Sequence, residues 1–194
     1  MTAKTLLVTG ASGGLGTAVL QRLGRDYRCV ALIHSHPLPG VESITDPDQL
    51  QGEVFGIVHL AGGFTAGSSP DDFARMMEMN LMSAVRTIEP LRERIEAGGR
   101  IVAVSSIASL SRPAGLAAYT AAKAALNAYI EVLAKELRPR RITANALLPS
   151  ALATPAMLQS TEPLVPLEHI AETIAFLLRE AAASISGQLL SLTA

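Results

Sequence analysis

The sequence predicts an α/β fold, a doubly wound parallel sheet with helices on both faces, and three observations carry that prediction. Short apolar runs alternate with helical patterns along the whole chain, as parallel strands and their crossovers require. The first run ends in a cluster of glycines that opens directly into a helical pattern. The composition, 49% hydrophobic against 17% charged, suits strands buried on both faces.

The opening segment KTLLVTGASGGLGTAVLQRLG gives a strand over 4–9 and a helix over 14–24. Further strands are expected over 28–33, 54–60, 100–105, 142–148 and 187–192, with helices over 70–97, 116–138 and 168–181. In SSPDDFARMMEMN, Ser69 is placed to cap a helix, Pro70 occupies its first position, and Asp71 and Asp72 face the positive end of its dipole. Pro90 lacks an N–H and should kink or break that helix near its last turns. Between the second strand, ending near His34, and the weak extended segment VESIT there are only about six residues, where a parallel crossover needs about a dozen. The span from Asp46 to Val54 is also too short for a full helical crossover. One edge of the sheet is therefore expected to be pared down, with a third strand that is short or antiparallel.

No repeat, low-complexity tract or linker divides the chain, so residues 1–194 are expected to form a single domain. A net charge of −1 gives no electrostatic reason to expect nucleic acid or an anionic membrane as partner. The single cysteine, Cys29, excludes an internal disulfide and reads as a small buried hydrophobe in RCVALI. No apolar stretch is long enough for a bilayer, and a first strand at Lys4 leaves no room for a signal peptide; a cytoplasmic protein is expected. The four histidines, His34, His36, His59 and His169, have no metal-ligand spacing, and no metal is expected.

The chemistry concentrates in two places. Gly10, Gly14 and Gly16 have the spacing G-x-x-x-G-x-G at a strand-to-helix turn, where glycine admits close approach of a phosphate and the helix start offers free N–H groups. In SSIASLSRPAGLAAYTAAKAALNAYIEVLAKEL, Tyr119 and Lys123 lie one helical turn apart, with Ser106 thirteen residues upstream of the tyrosine. The pair is in line with Leu126, Ile130, Leu133 and Leu137, so it should face the protein interior. A buried lysine beneath a tyrosine is costly unless it serves a purpose, and proton transfer is the chemistry this suggests. On the same basis Asn80 lies on the helical face of Phe73, Met76, Met77 and Ala84, an unusual place for an amide.

Thr9-Gly10-x-x-x-Gly14-x-Gly16, the Ala61-Gly62 turn, Asn80, Ser106, Tyr119-x-x-x-Lys123, and Asn145 followed by Pro149 and Thr154 occur in the order of the short-chain dehydrogenase/reductase family. The chain resembles that family over nearly its whole length. The resemblance implies a Rossmann-like sheet and an NAD(P)-dependent oxidoreductase. In it Tyr119 is acid or base, Ser106 bonds the substrate oxygen, Lys123 lowers the tyrosine pKa and binds the nicotinamide ribose, and Asn80 holds a water in a relay with the lysine. It implies cofactor contact by Gly10, Ser12, Gly13, Gly14, Leu15 and Gly16. The same holds for His34, Ser35, Asp46, Ala61, Gly62, Gly63, Tyr119 and Lys123, with Pro149 and Thr154 at the carboxamide. Ser150 stands where the family has glycine, which leaves the geometry of that loop open.

The position that carries an acidic residue in NAD-preferring relatives reads His34-Ser35-His36 here. With no carboxylate to repel a 2′-phosphate the sequence favours NADP, while Gly13, where many NADP-preferring relatives have a cation, keeps NAD open. The short segment after Thr154, the run LAGG and the pair TPAM and PLEHIAETIAFLL look most similar to the dihydropteridine reductase branch, which lacks a serine at the place of Ser106. A cofactor-sensing protein on the same fold would keep the glycines without needing Ser106, Tyr119 and Lys123. On the 116–138 helix, Thr120, Asn127, Glu131, Lys135 and Arg138 read as one polar stripe and Ala122, Ala125, Tyr129 and Val132 as a second apolar face. With the family resemblance, that face predicts a homodimer or homotetramer.

Overall fold

The computed structural model describes residues 3–34, 37–154, 157, 159 and 161–194. Seven strands, β1 (Thr5–Thr9), β2 (Arg28–Leu32), β3 (Glu42–Ile44), β4 (Val54–His59), β5 (Ile95–Val104), β6 (Thr143–Pro149) and β7 (Leu189–Leu192), form one sheet in the order β3-β2-β1-β4-β5-β6-β7. Every neighbouring pair is parallel. The chain reverses its direction of travel between β1 and β4, and such a switch point leaves a crevice outside the carboxyl ends of the strands.

The two-residue period of the strands sorts the core into two layers. Leu6, Val8, Val58 and Val102 point to one face and pack with Val19 and Leu23 of α1 (Gly14–Leu23) and Ile170 and Ile174 of α6 (Leu167–Leu177). Leu7, Ile57, Ile101 and Ala103 point to the other, against Ile88, Leu126, Ile130 and Leu133. Ile88 closes α3 (Ser83–Ile88), and the other three belong to α5 (Ala117–Glu136). Each such leucine or isoleucine contributes about 1.5–3 kcal/mol by leaving water.

The pared-down edge is present. β3 has three residues and pairs with β2, but in parallel, which corrects the antiparallel alternative. A parallel return needs no helix here because β3 pairs only with Val30, Ala31 and Leu32, so the chain has only that short length of strand to travel back. The 46–54 span carries one 3-10 turn, Pro47–Gln49, capped by Asp46.

The expected 70–97 helix is four segments ending at Arg94. The first is α2 (Pro70–Met77), with a reciprocal cap in which Ser69 Oγ accepts the Asp72 N–H at 3.2 Å and the Asp72 carboxylate accepts the Ser69 N–H at 3.1 Å. A π turn (Glu78–Met82) follows, then α3, then a 3-10 turn (Glu89–Arg94) that begins where Pro90 removes a helical donor. Residues 95–97 belong to β5 instead, with an irregularity in register between Val54 and Gly56. The last helix runs Leu167–Leu177 instead of 168–181, with a 3-10 turn at Glu180–Ala182. Cys29 is half-buried, and burial pushes its thiol up to about 11.

The α5 stripe of Lys123, Leu126, Ile130, Leu133 and Leu137 is buried as expected. The polar stripe is corrected at Asn127, which is buried and donates to Ser109 Oγ at 2.8 Å. The second apolar face is also displaced by a residue. Ala122 is fully buried against Met76 within the chain, and the exposed row is Ala117, Ala121, Ala124, Ala128 and Val132. Among the described residues no helix is long and apolar enough to cross a membrane.

Candidate active site

At the carboxyl end of β1 the chain turns through Gly10 with φ +65, and a Cβ there would stand 2.7 Å from the Ala61 nitrogen. Glycine is required for both reasons. A Cβ at Gly16 would stand 2.4 Å from the Gly10 carbonyl oxygen, so the helix start is folded back against the turn. Gly13 caps α1 with no side-chain bond, and the first turn holds no acid. Its leading N–H groups and positive dipole end are available to an anion. Beside this turn lies a cavity of about 760 Å³ whose wall includes Gly10, Ala11, Ser12, His34, Ala61 and Gly62. The wall also includes Leu32, Ile33 and Thr45 from the β2–β3 edge, and Glu78, Ser83, Arg86 and Thr87 from the helical segments after β4.

Ser106 follows β5 and is held by the short helix α4 (Ala108–Ser111): its Oγ accepts the Ala108 N–H at 3.2 Å. Two hydroxyls tie this loop to α5. Ser105 Oγ donates to the Lys123 carbonyl at 3.3 Å, and Ser109 Oγ, itself bonded by Asn127, donates to the Ser106 carbonyl at 2.7 Å. The sequence spacing is thereby converted into proximity, because Ser106 comes near enough to the Tyr119 phenol to favour its ionised form. The Lys123 Nζ lies 5.9 Å from the centre of the Tyr119 ring and donates to the Val104 carbonyl at 3.1 Å. Lys123 is 5% exposed, and burial lowers its pKa to about 8.

One expectation about this pair is corrected. The Tyr119 phenol is raised by burial and drawn partly back by Ser106, with no lowering by Lys123. The ammonium donates to a backbone carbonyl of β5, and burial weakens its own charged form.

Asn80 is fully buried in the π turn, and its amide is spoken for. The Nδ2 group donates to the carbonyls of Gly63 and Met76, both at 3.0 Å, and Oδ1 accepts the Gly63 N–H at 3.2 Å. The side chain clamps the loop after β4. A Cβ on Gly62 would meet both Asn80 Oδ1 at 2.8 Å and Lys123 Nζ at 3.2 Å, so the loop lies directly over the lysine.

Of the residues expected at a cofactor, Gly10, Ser12, His34, Ala61 and Gly62 line the cavity. Gly13, Gly14, Leu15 and Gly16 form the turn behind it, and the Leu15 side chain belongs to the core. Gly63 is held by Asn80 beside Tyr119 and Lys123, outside the cavity lining. Asp46 lies between Thr45 and Pro47, which line the cavity, and its Oδ1 accepts the Asp48 N–H at 2.8 Å as a helix cap. Pro149 ends β6 with its carbonyl accepting the Ile107 N–H at 3.0 Å, and Thr154 donates its N–H to Leu152 at 2.7 Å; neither lines the cavity. Ser35 lies outside the described residues. Sequence reasoning missed Phe64, 63% exposed and edge-on to Tyr119 at 5.1 Å, and the hydroxyls of Ser83 and Thr87. Ser83 and Thr87, four apart and one turn beyond Asn80, could have been found from helical spacing; nothing local marks Phe64. Among the described residues no cluster of histidine, cysteine and carboxylate side chains could hold a metal ion.

The model of the family described as "Enoyl-(Acyl carrier protein) reductase" matches residues 48–193. An acetoacetyl-CoA reductase of Synechocystis sp. is 28% identical over 224 residues, 96% of this chain and 93% of the relative. A 3-oxoacyl-[acyl-carrier-protein] reductase of Aquifex aeolicus is 28% identical over 211 residues, 96% of this chain and 84% of the relative. The crystal structure of a short chain dehydrogenase/reductase family oxidoreductase from Burkholderia thailandensis superposes with a TM-score of 0.86 at 26% identity, covering 100% of this chain and 92% of that one. The glycine turn, the Ser106, Tyr119 and Lys123 cluster and a match spanning three quarters of the sequence lead to one conclusion: the chain belongs to the short-chain dehydrogenase/reductase family of oxidoreductases.

Proposed function

We propose that this protein interconverts a carbonyl and an alcohol with a nicotinamide cofactor, using Tyr119 as the proton donor and acceptor. The observation that carries the reading is the meeting of Ser106, Tyr119 and Lys123 beside Gly62 at the switch point of the sheet. The cofactor fits what is present: a turn that tolerates no Cβ, an uncapped helix start for a pyrophosphate, and a cavity on the β2–β3 side for an adenosine. When bound, it supplies or accepts the hydride at the carbon of the substrate carbonyl.

The chain's own residues manage the proton. Tyr119 keeps its proton at neutral pH because burial raises it, and gives it to the substrate oxygen as charge develops there. Ser106 donates to the same oxygen and holds it against the phenol. Lys123, at about 8, is mostly charged at pH 7 and lies beneath Tyr119 within reach of the Gly62 loop, placed to hold the nicotinamide ribose. Oxidation runs the same groups in reverse.

The names of the relatives point to a 3-oxoacyl thioester as substrate class. Reduction of a quinonoid dihydropterin is a second reading, favoured by the exposed Phe64 ring beside Tyr119, a surface on which a flat ring can stack. Oxidation of NADH and NADPH followed with acetoacetyl-CoA and with quinonoid dihydropterin separates the two. Turnover of the thioester supports the first reading, turnover of the pterin the second. Cofactor binding without turnover of any carbonyl in a broad panel would contradict both and point to cofactor sensing.

A further inference from the structure

His59 is fully buried at the end of β4, yet both ring nitrogens meet a hydroxyl: Nδ1 lies 3.0 Å from Thr9 Oγ1 and Nε2 lies 3.4 Å from Ser83 Oγ. Counting protons fixes the direction of each bond. Thr9 Oγ1 accepts the Leu60 N–H at 3.2 Å and the Ala61 N–H at 3.1 Å, which uses both lone pairs. Its own proton therefore goes to His59 Nδ1. A neutral ring then carries its hydrogen on Nε2 and donates to Ser83. Burial and the Lys123 charge keep the ring neutral, lowering it to about 3.

Ser83 spends its only proton on the Met79 carbonyl at 2.7 Å. With the His59 N–H on one lone pair, one lone pair is left, and Ser83 lines the cavity. Thr87, one turn on, donates to the Ser83 carbonyl at 2.8 Å and has likewise no proton to offer. The opposite assignment, with an Nδ1 proton, would crowd three donors onto Thr9 Oγ1 and strand the hydroxyl's own proton.

We infer that His59 and Met79 fix Ser83 as an acceptor-only group on the cavity wall, so that the cavity selects a purine carrying a 6-amino group over one carrying a 6-oxo group. The inference rests on the dinucleotide reading of the cavity. An amino group places an N–H on the free lone pair of Ser83, whereas a carbonyl places oxygen against oxygen with no proton between them. Of the carboxylates near this site, Glu42 of β3 pairs with Arg28 and Asp46 accepts the Asp48 N–H, both outside the wall, while Glu78, which lines the cavity, is paired with Arg86 beside it. His59 touches no ligand and is a positioning residue; Ser83 is the reader.

The test is fluorescence titration of the full chain with NADH and with reduced nicotinamide hypoxanthine dinucleotide. NADH should bind about tenfold more tightly, the order of one hydrogen bond. In Ser83→Ala the two affinities should converge to within about twofold, while Thr87→Val keeps the difference. The ring of His59, read by ¹⁵N NMR, should be the Nε2-protonated tautomer and show no titration between about pH 5 and pH 8. Equal affinity of the unmodified protein for both dinucleotides overturns the inference and leaves the cofactor reading standing. So does a preference that survives Ser83→Ala, or an Nδ1-protonated or titrating ring. Binding of neither dinucleotide overturns the cofactor reading and this inference with it.

Discussion

Lys123 is held where its charge is unwelcome, and the size of that cost can be worked from its surroundings. Burial lowers its pKa from 10.5 to about 8, which corresponds to about 3 kcal/mol of destabilisation when the ammonium is charged in the fold. Below about pH 8 the folded and unfolded chains both carry the proton, and the cost is present in full. Between about 8 and 10.5 the folded state releases the proton while the unfolded state keeps it, so stability rises with pH. In Lys123→Met this contribution disappears, and the loss of the bond to the Val104 carbonyl is the same at every pH. Urea unfolding of both proteins at about pH 7 and about pH 9.5 should therefore show the wild type gaining about 2 kcal/mol on the variant over that interval. Parallel pH profiles, or a variant that gains on the wild type as pH rises, would refute the reasoning.

Three further perturbations follow from the same geometry. Gly62→Ala drives a methyl group against Asn80 Oδ1 and Lys123 Nζ, and should lower kcat by about a hundredfold with the circular dichroism unchanged; undiminished turnover would show that the loop yields. His34 lines the cavity at the end of the β2 edge, so NADPH should bind more tightly than NADH and His34→Asp should reverse the order in a fluorescence titration. If the unmodified protein binds NADH at least as tightly, His34 does not set the preference. The exposed row Ala117, Ala121, Ala124, Ala128 and Val132 is expected to be covered by a second copy of α5, so light scattering at micromolar concentration should exceed 20.3 kDa and fall to it in Ala128→Arg. A monomer before substitution, or an unchanged particle after it, would remove that expectation.

Periodicity made most of the fold legible. The strands, such as the apolar run TLLVT, and the Tyr119 to Leu137 stripe depend on local pattern, and the shortened β3 edge followed from counting residues against the reach of a crossover. What local pattern could not supply was partnership. That Asp46 also caps the 3-10 turn through the Asp48 N–H, and that both ends of the Asn80 amide hold Gly63, could be seen only in three dimensions. The one-residue error in the second face of α5 has the same origin, because Met76, forty-six positions away from Ala122, decides which alanines are buried. Phe64 and His59 owe their places to Tyr119, Thr9 and Ser83, contacts that no spacing in their own segments announces.

The central claim is that Tyr119 moves the proton, and removing its hydroxyl alone tests it. With a carbonyl substrate that the wild type reduces, single-turnover oxidation of the reduced cofactor should slow by about a hundredfold or more in Tyr119→Phe, the size of a positioned acid–base contribution. The cofactor dissociation constant should stay within about twofold, since the ring and its contact with Phe64 remain. A variant that turns over at the wild-type rate with the same substrate would contradict the account.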